Sequence, residues 1–375
     1  MKTKPMPIYM DRHDIPKEIT AEHVAQMHQE DLKVEHLYGC KGMTYWCDTK
    51  RHTAFCLIEA PNREAIQNMH NHAHGEFPHD IIEVDAHLVE SFLGRIEDPQ
   101  KAENEELNII DDPAFRVIMV LETSDYLHRL DTHQLSMFTQ KFHRSVAKSV
   151  KHFEGSIIRE NDKSYLISFK SVTNAVLCAL KIQDSFKYSY PKLERDNQRL
   201  KIGLSAGIPV TSNDGDGIFS ESIFLATQMC EIIRGQIVIS SSIKALYENE
   251  NRNAVIDDQL IRTLTPREEL FVTQLVQFSE CTWNKSNFNI NTLSKELGHS
   301  KSQLYRKIKK LTGKSPITYI REYRLHKALE LIHDQQGNIS EIAFESGFNS
   351  PAYFSKSFFE KFGILPSKYA QMYQS

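Results

Sequence analysis

Several things are scarce or missing in this 375-residue chain. No apolar run approaches the roughly 18 residues that a membrane-spanning helix needs, so no membrane segment is expected. The start, MKTKPMPIYMDRHD, has no apolar stretch after its lysines, so a signal peptide is not expected. The 6 cysteines, Cys40, Cys47, Cys56, Cys178, Cys230 and Cys281, form no C-x-x-C pair. That argues against a disulfide framework and a zinc knuckle, and for a reducing cytoplasm. There is no low-complexity tract and no short solenoid-type repeat. A strong overall charge is also absent, the net being −4, and a mix of 25% charged and 40% hydrophobic residues excludes wholesale disorder.

The small net charge hides a gradient. Residues 1–111 carry −10, residues 112–261 balance to zero, and residues 262–375 carry +6. An acidic head and a basic tail place any polyanion contact at the C-terminus. Ten of the 17 histidines fall in the first 100 residues, so the head has a chemistry of its own.

Three segments and two linkers follow from the periodicities. In the head, PIYMDRHD, MTYWCD, TAFCLIEAP and DIIEVDA read as strands. Helices start at Thr20 and Asn62, and Gly39 stops the first. The order β-α-β-β-α-β predicts an α+β ferredoxin-like domain over 1–93, with a four-stranded antiparallel sheet and both helices on one face. The acidic stretch 94–113 reads as a linker. Residues 114–248 alternate strands and helices again, a second α+β domain, with a hairpin turn at Asn161-Asp162-Lys163. Residues 249–264 are polar and read as a second linker. From 265 to 375 the β signal disappears and leucine, lysine and glutamate recur at helical spacing. The chain is thus multidomain, ending in an all-α segment.

Within that tail, NTLSKELGHSKSQLYRKIKKLTG predicts a helix, a turn at Gly298 and a second helix. Ile290, Leu293 and Leu297 form one apolar stripe, and Leu304, Ile308 and Leu311 the other. Lys301, Arg306, Lys307, Lys309 and Lys310 occupy the opposite face of the second helix, which suits entry into a DNA major groove. ISEIAFESGFNSPAYFSKSFFEKFG repeats the plan some 45 residues later, with its turn at Gly347. The run IAFESGFNSPAYFSKSFFEKFGILPSKY and the connecting LTGKSPITYIREYRLHKALELI resemble the tandem helix-turn-helix domain of AraC/XylS-type transcription regulators. That resemblance implies base-facing positions at Ser302, Tyr305 and Arg306 on the first recognition helix, flanked by Lys301 and Lys307. On the second it implies Pro351, Ala352 and Lys356. Arg306 can bridge guanine O6 and N7, worth roughly 1–3 kcal/mol of discrimination. The second set has little hydrogen-bonding capacity beyond Lys356, so shape readout carries more there.

The middle, through LKIGLSAGIPV, Leu225-Ala226-Thr227 and GQIVISSSI, resembles a class III nucleotidyl cyclase domain. Such enzymes hold two metal ions with paired carboxylates. The positions implied for that chemistry are altered. Glu122 stands at the first carboxylate, Asp162-Lys163 at the second, and Phe224 and Gln228 at the family's asparagine and arginine. A lysine repels an ion, so a degenerate, non-enzymatic domain is expected.

In the head, His70, His72 and His74 come as H-x-H-x-H, with His79 beyond. His70 and His74, four apart, share a helix face and can chelate one ion. His13 and His36 are further candidates, with His28 also in the unit; histidines on an exposed helix are equally ordinary polar surface. MPIYMDRHD, AFCLIEAPNREAI and the histidine cluster resemble a small bacterial nickel-binding family whose sheets pair into a dimeric α+β barrel. The resemblance implies a divalent transition metal, nickel first, with zinc or copper open. Cys40, Cys47 and Cys56 read as strand residues.

These expectations combine into a cytoplasmic DNA-binding regulator controlled by a metal ion or a small ligand. It is expected to be a homodimer, because a four-stranded sheet with helices on one face leaves the other to be covered. The rival reading is an active nucleotidyl cyclase with an accessory DNA-binding domain. A metal-storage protein would leave the tail without a role.

Overall fold

The computed structural model describes the chain except residues 1–4, 76, 100–106, 124–131, 162–163, 190–199, 212–216, 234–236, 253, 286–287 and 373–375, and the side chains of 132–139 and 188–189. The head contains β1 (Ile8–Asp14), α1 (Ala21–Val34), β2 (Lys41–Asp48), β3 (Thr53–Glu59), α2 (Arg63–Ala73), β4 (Asp80–Val84) and α3 (Ala86–Leu93). The Thr20 side chain accepts the His23 backbone N–H and so starts α1, and Asn62 starts α2 in the same way through Ala65. The sheet runs β2-β3-β1-β4, antiparallel throughout. Because side chains alternate along a strand, Tyr9, Tyr45, Cys47, Cys56 and Ile58 face α1 and α2, where Val24, Ala25, Ile66 and Met69 meet them.

The opposite face carries Met10, Trp46, Phe55, Leu57 and Ile82. This is the face expected to be covered by a second copy. It is covered within the chain instead, by Val89, Phe92 and Leu93 of α3 and by apolar residues of the middle domain. The need for cover is therefore met without dimerisation.

The middle domain contains β5 (Arg116–Thr123), α4 (Thr132–His152), β6 (Ser156–Glu160), β7 (Ser164–Phe169), α5 (Val172–Ser189), β8 (Leu200–Gly207), α6 (Ser220–Ile232), β9 (Ile237–Ile239), α7 (Ser241–Glu250) and β10 (Ile261–Thr263). Its strand order is β10-β9-β8-β5-β7-β6, with β8, β9 and β10 parallel and the other pairs antiparallel. Helices α4, α5 and α7 pack on one face around Val117, Met119, Leu121 and Ile167. The other face presents Ile118, Val120 and Leu166 to the head, with α6 laid beside them. Gly203 permits that approach, since a Cβ there would strike the carbonyl oxygen of Ala226.

The tail contains α8 (Pro266–Thr282), α9 (Ile290–Glu296), α10 (Lys301–Thr312), α11 (Pro316–His333), α12 (Ile339–Glu345), α13 (Pro351–Phe362) and α14 (Pro366–Gln371). Gly298 and Gly347 make the two turns with φ of +65° and +76°, where a side chain would be strained. The two helix-turn-helix units have separate cores. The first, around Phe271, Leu275, Leu293, Leu304 and Ile308, is continuous with Met229 and Ile232 of α6 and Val238 of β9. The second, around Ile342, Phe354, Phe358 and Phe362, closes on Leu325, Ala328 and Ile332 of α11 and Tyr369 of α14. Helix α6 thus touches both neighbours: Ala226 and Cys230 belong to the core shared with the head, and Met229 and Ile232 to the core shared with the tail.

Neither expected linker is a plain tether where it is described. In 94–113, Arg95 donates to the Tyr45 carbonyl at 2.5 Å and lies 4.5 Å over the Trp46 ring. The Tyr45 hydroxyl donates to the Asn108 carbonyl at 2.7 Å and accepts the Ile110 N–H at 2.9 Å. Just beyond, buried Arg116 donates to the Phe92 and Leu93 carbonyls and closes the end of α3. In 249–264, residues Ile261–Thr263 pair with β9, and Arg262 donates to the Lys310 and Leu311 carbonyls near the end of α10. The middle sheet therefore extends to Thr263, and its last strand bonds to the end of α10. Among the described residues, no helix is long and apolar enough to cross a membrane.

Candidate metal centre and nucleic-acid interface

The head buries a polar cluster between its sheet and its helices. His70, on the inward face of α2, is only 1% exposed. Its Nε2 lies 2.8 Å from Asp11 Oδ2 on β1, and its Nδ1 lies 3.0 Å from Asp31 Oδ1 on α1. His74 follows at the C-cap of α2, with Nε2 3.3 Å from Asp31 Oδ1 and 3.3 Å from His70 Nδ1. On the strand side, His13 Nε2 lies 3.5 Å from Asp11 Oδ1. Two triads of ligand atoms converge here, Asp31-His70-His74 and Asp11-His13-Cys56.

The electrostatics follow from this packing. Burial works against the Asp11 carboxylate, but His13 and His70 outweigh it and hold its pKa well below the usual range. Asp31 is lowered too, against burial, by hydrogen bonds from His70 and His74. Burial would lower His70, yet its bonds to the two carboxylates raise it to about 10, so without a metal it is an imidazolium donating to both sides. Burial first, and then the charges of Asp11 and Asp31, push the Cys56 thiol well above its ordinary value.

The Asp31-His70-His74 atoms fit a metal ion. Their separations of 3.0, 3.3 and 3.3 Å match the edges of a coordination polyhedron with bonds of about 2.0–2.2 Å. Imidazole with carboxylate suits nickel, zinc or copper. Asp11 would then hold the far nitrogen of His70, the usual outer partner of a ligating histidine.

Of the five histidines expected at the metal, His70, His74 and His13 lie in this cluster. His36 and His79 do not. His36 is exposed on a 3-10 turn, Glu35–Leu37. His79 is exposed past α2, its Nδ1 accepting the Asp14 N–H at 3.2 Å, because its backbone N–H is tied to the Arg12 carbonyl. The sequence reading missed Asp11, Asp31 and Cys56 as members of the cluster. Asp31 lies on the buried stripe of α1 with Val24, Ala25 and His28, and a charge on an apolar stripe was the available signal. Asp11 and His13 stand two apart on β1, hence on one face.

In the tail, Lys301, Ser302, Tyr305 and Arg306 are exposed on α10, which Ser300 caps through Gln303. Lys307 is half-buried, its Nζ 2.8 Å from His299 Nε2 and 4.8 Å from the Phe271 ring centroid, so it is engaged inside its own unit. On α13, Ala352 and Lys356 are exposed and Pro351, the first helical residue, is half-buried. In the middle, Glu122 is half-buried next to the last residue of β5, Phe224 packs into the core shared with the tail, and Gln228 is buried in α6. Asp162 and Lys163 lie outside the described residues.

Comparison with known proteins bears on both ends. Residues 293–372 match the family described as "Helix-turn-helix domain", and residues 9–84 match "Nickel responsive protein SCO4226-like". The chain carries an AraC-type DNA-binding domain at its C-terminus and a SCO4226-like domain at its N-terminus. SCO4226 from Streptomyces coelicolor A3(2) is 36% identical over 20% of this chain and 94% of its own, with a TM-score of 0.20. Histidine kinase P4 of Formosa agariphila is 36% identical over 111 residues, 30% of this chain and 8% of that protein. The uncharacterized HTH-type transcriptional regulator YdeC of Bacillus subtilis is 33% identical over 73 residues, 20% of this chain and 25% of its own. The chain thus spans a quarter or less of these two curated relatives. The SCO4226-like domain begins within β1 and ends with β4, so it holds both triads of the buried cluster.

Proposed function

We propose that this chain is a cytoplasmic transcription regulator that binds double-stranded DNA through α10 and α13, under the control of a metal ion held in its head. The observation that carries the reading is the pairing of an AraC-type tail, with Lys301 and Arg306 of α10 exposed, and a buried Asp31-His70-His74 triad in a SCO4226-like head. Nickel is the ion the head's family points to, and the donor set accepts it. On α10, Ser302, Tyr305 and Arg306 read base edges while Lys301 meets phosphate. On α13, Ala352 and Lys356 face the DNA, and Pro351 sets the start of the helix.

Control runs through α6. It is shared between the core under the head and the core of the first helix-turn-helix unit. A metal that favours one packing of the head against α6 shifts the population of tail positions. The middle domain is a cyclase-like fold without its chemistry, and Phe224, at a position the enzymes use for catalysis, packs against the tail instead. A second copy, where one binds, uses a surface other than the sheet face already covered.

The test is selection of genomic fragments bound by the full chain, with and without nickel, followed by fluorescence anisotropy on the selected site. The reading expects salt-sensitive binding whose affinity changes with nickel. His74→Ala is expected to bind DNA yet lose the nickel response. Failure of the full chain to select any fragment, in either condition, removes the proposal.

A further inference from the structure

We propose that Asp11, His13 and Cys56 form a second metal site in the head, for a borderline-soft divalent ion of the zinc class, beside the one formed by Asp31, His70 and His74. This rests on the reading of the head as a metal domain and adds a thiolate ligand to it.

The pairing of the strands brings the three residues together. Asp11 and His13 are two apart on β1, and Cys56 of β3 stands directly opposite Asp11 in the antiparallel register. All three are buried, and their ligand atoms lie within 4.8 Å of one another. The Asp11 Oδ1 to His13 Nε2 distance is already 3.5 Å, the separation of about 3.5 Å that two ligands adopt on a tetrahedral ion with bonds of about 2.1 Å. The Cys56 backbone N–H donates to the same Asp11 oxygen at 2.9 Å, which fixes the carboxylate toward the cysteine.

A buried cysteine in a strand is usually a small apolar residue. Cys47 fits that description, being fully buried in the apolar core of the head with no place in either triad. Cys56 differs in facing a carboxylate and an imidazole. Sulfur, nitrogen and oxygen from three residues make a donor set for zinc or cobalt, with a fourth position left open. On binding, the sulfur–metal bond forms as the thiol proton leaves to water. The two sites share a hinge. Asp11 turns Oδ1 to the second site and Oδ2 to His70, whose Nδ1 faces the first. Filling one therefore orients a ligand of the other.

Cobalt reports on both sites in the reduced full-length protein. The wild type is expected to retain two cobalt ions per chain after gel filtration and to show a near-ultraviolet thiolate-to-cobalt charge-transfer band. Cys56→Ser should lose the band and one ion, and Cys47→Ser should lose neither. His74→Ala should lose one ion and keep the band. His13→Ala, with the thiol intact, should weaken the band and so covers the case in which Cys56→Ser does not fold. One ion without the band, removed by His74→Ala, would overturn the second site and leave the first. A band that survives in a folded Cys56→Ser protein would also overturn it. Retention of no cobalt at all would sink the metal reading of the whole head.

Discussion

Asp11 Oδ2 and His70 Nε2 lie 2.8 Å apart, and neither side chain reaches water to any extent. Replacing Asp11 leaves the buried His70 imidazolium with Asp31 alone to balance it, and breaking a buried pair costs up to about 3–5 kcal/mol. Asp11→Asn is therefore expected to lower the melting temperature of the metal-free protein sharply, by differential scanning calorimetry. A melt within a degree or two of wild type would mean that the pair is not formed.

The same pair sets a pH dependence. His70 is raised in the folded protein to about 10, against an ordinary value of about 6.5. Its contribution is complete below about 6.5 and lost as pH rises from there through about 10. Asp11 and Asp31 are lowered, so theirs is present above the ordinary carboxylate range and lost as pH falls from there to their lowered values. Metal-free protein should thus be most stable between these limits, and denaturant midpoints across pH check it. His70→Gln should flatten the alkaline limb. An unchanged limb in that variant would remove His70 as its source.

Gly203 lies against the Ala226 carbonyl, and that contact seats α6 on β8. Any side chain there must push backbone rather than a flexible tip. Overpacking of this kind costs about 1–3 kcal/mol, occasionally more. Gly203→Ala should lower the urea midpoint by a corresponding amount. A neutral result would mean that α6 sits further from the sheet.

Met229 is fully buried on the side of α6 that meets the tail. Truncating it opens a cavity at a cost of about 2–5 kcal/mol. If α6 carries the signal, Met229→Ala should bind nickel as before while the ratio of DNA affinities with and without nickel shrinks toward one. Calorimetry for the metal and anisotropy for the DNA separate the two. A folded variant with a full nickel response would exclude this route.

What could be read from residues alone divides along physical lines. The stripes of α9 and α10 were legible because a helix with one buried face repeats every 3.6 residues, and Leu293, Leu304, Ile308 and Leu311 do. The head's four-stranded antiparallel sheet was legible from its β-α-β-β-α-β pattern. The covering of Met10, Trp46 and Leu57 was not, since alternation shows only that both faces are apolar and not what meets them. The strand Ile261–Thr263 was hidden by its three-residue length, too short to show an alternating pattern. Within the cluster, the i, i+4 spacing made His70 and His74 visible. Asp11, Asp31 and Cys56 join them only through tertiary packing of three separate elements.

The two kinds of contact on α10 should separate by salt and by sequence. Arg306 and Lys301 are both exposed, Lys301 at the start of α10, and the proposed roles are a base contact for Arg306 and a phosphate contact for Lys301. Removing a phosphate contact weakens all sequences alike and lowers the salt slope by about one. Removing a base contact costs about 1–3 kcal/mol at one position and relaxes the preference there. Lys301→Ala should therefore flatten the plot of log affinity against log salt on selected and unselected DNA. Arg306→Ala should leave unselected DNA less affected and lose discrimination at a single base pair. Lys307→Ala is expected to act differently from both. Its ammonium is held by His299 and the Phe271 ring, so its loss should appear as lower stability of the first unit before it appears in DNA affinity. Anisotropy titrations of the three full-length variants, at several salt concentrations and on single-base substitutions of the selected site, decide the assignment. If Arg306→Ala weakened every sequence equally, Arg306 would be a phosphate contact and base reading would fall to Ser302 and Tyr305.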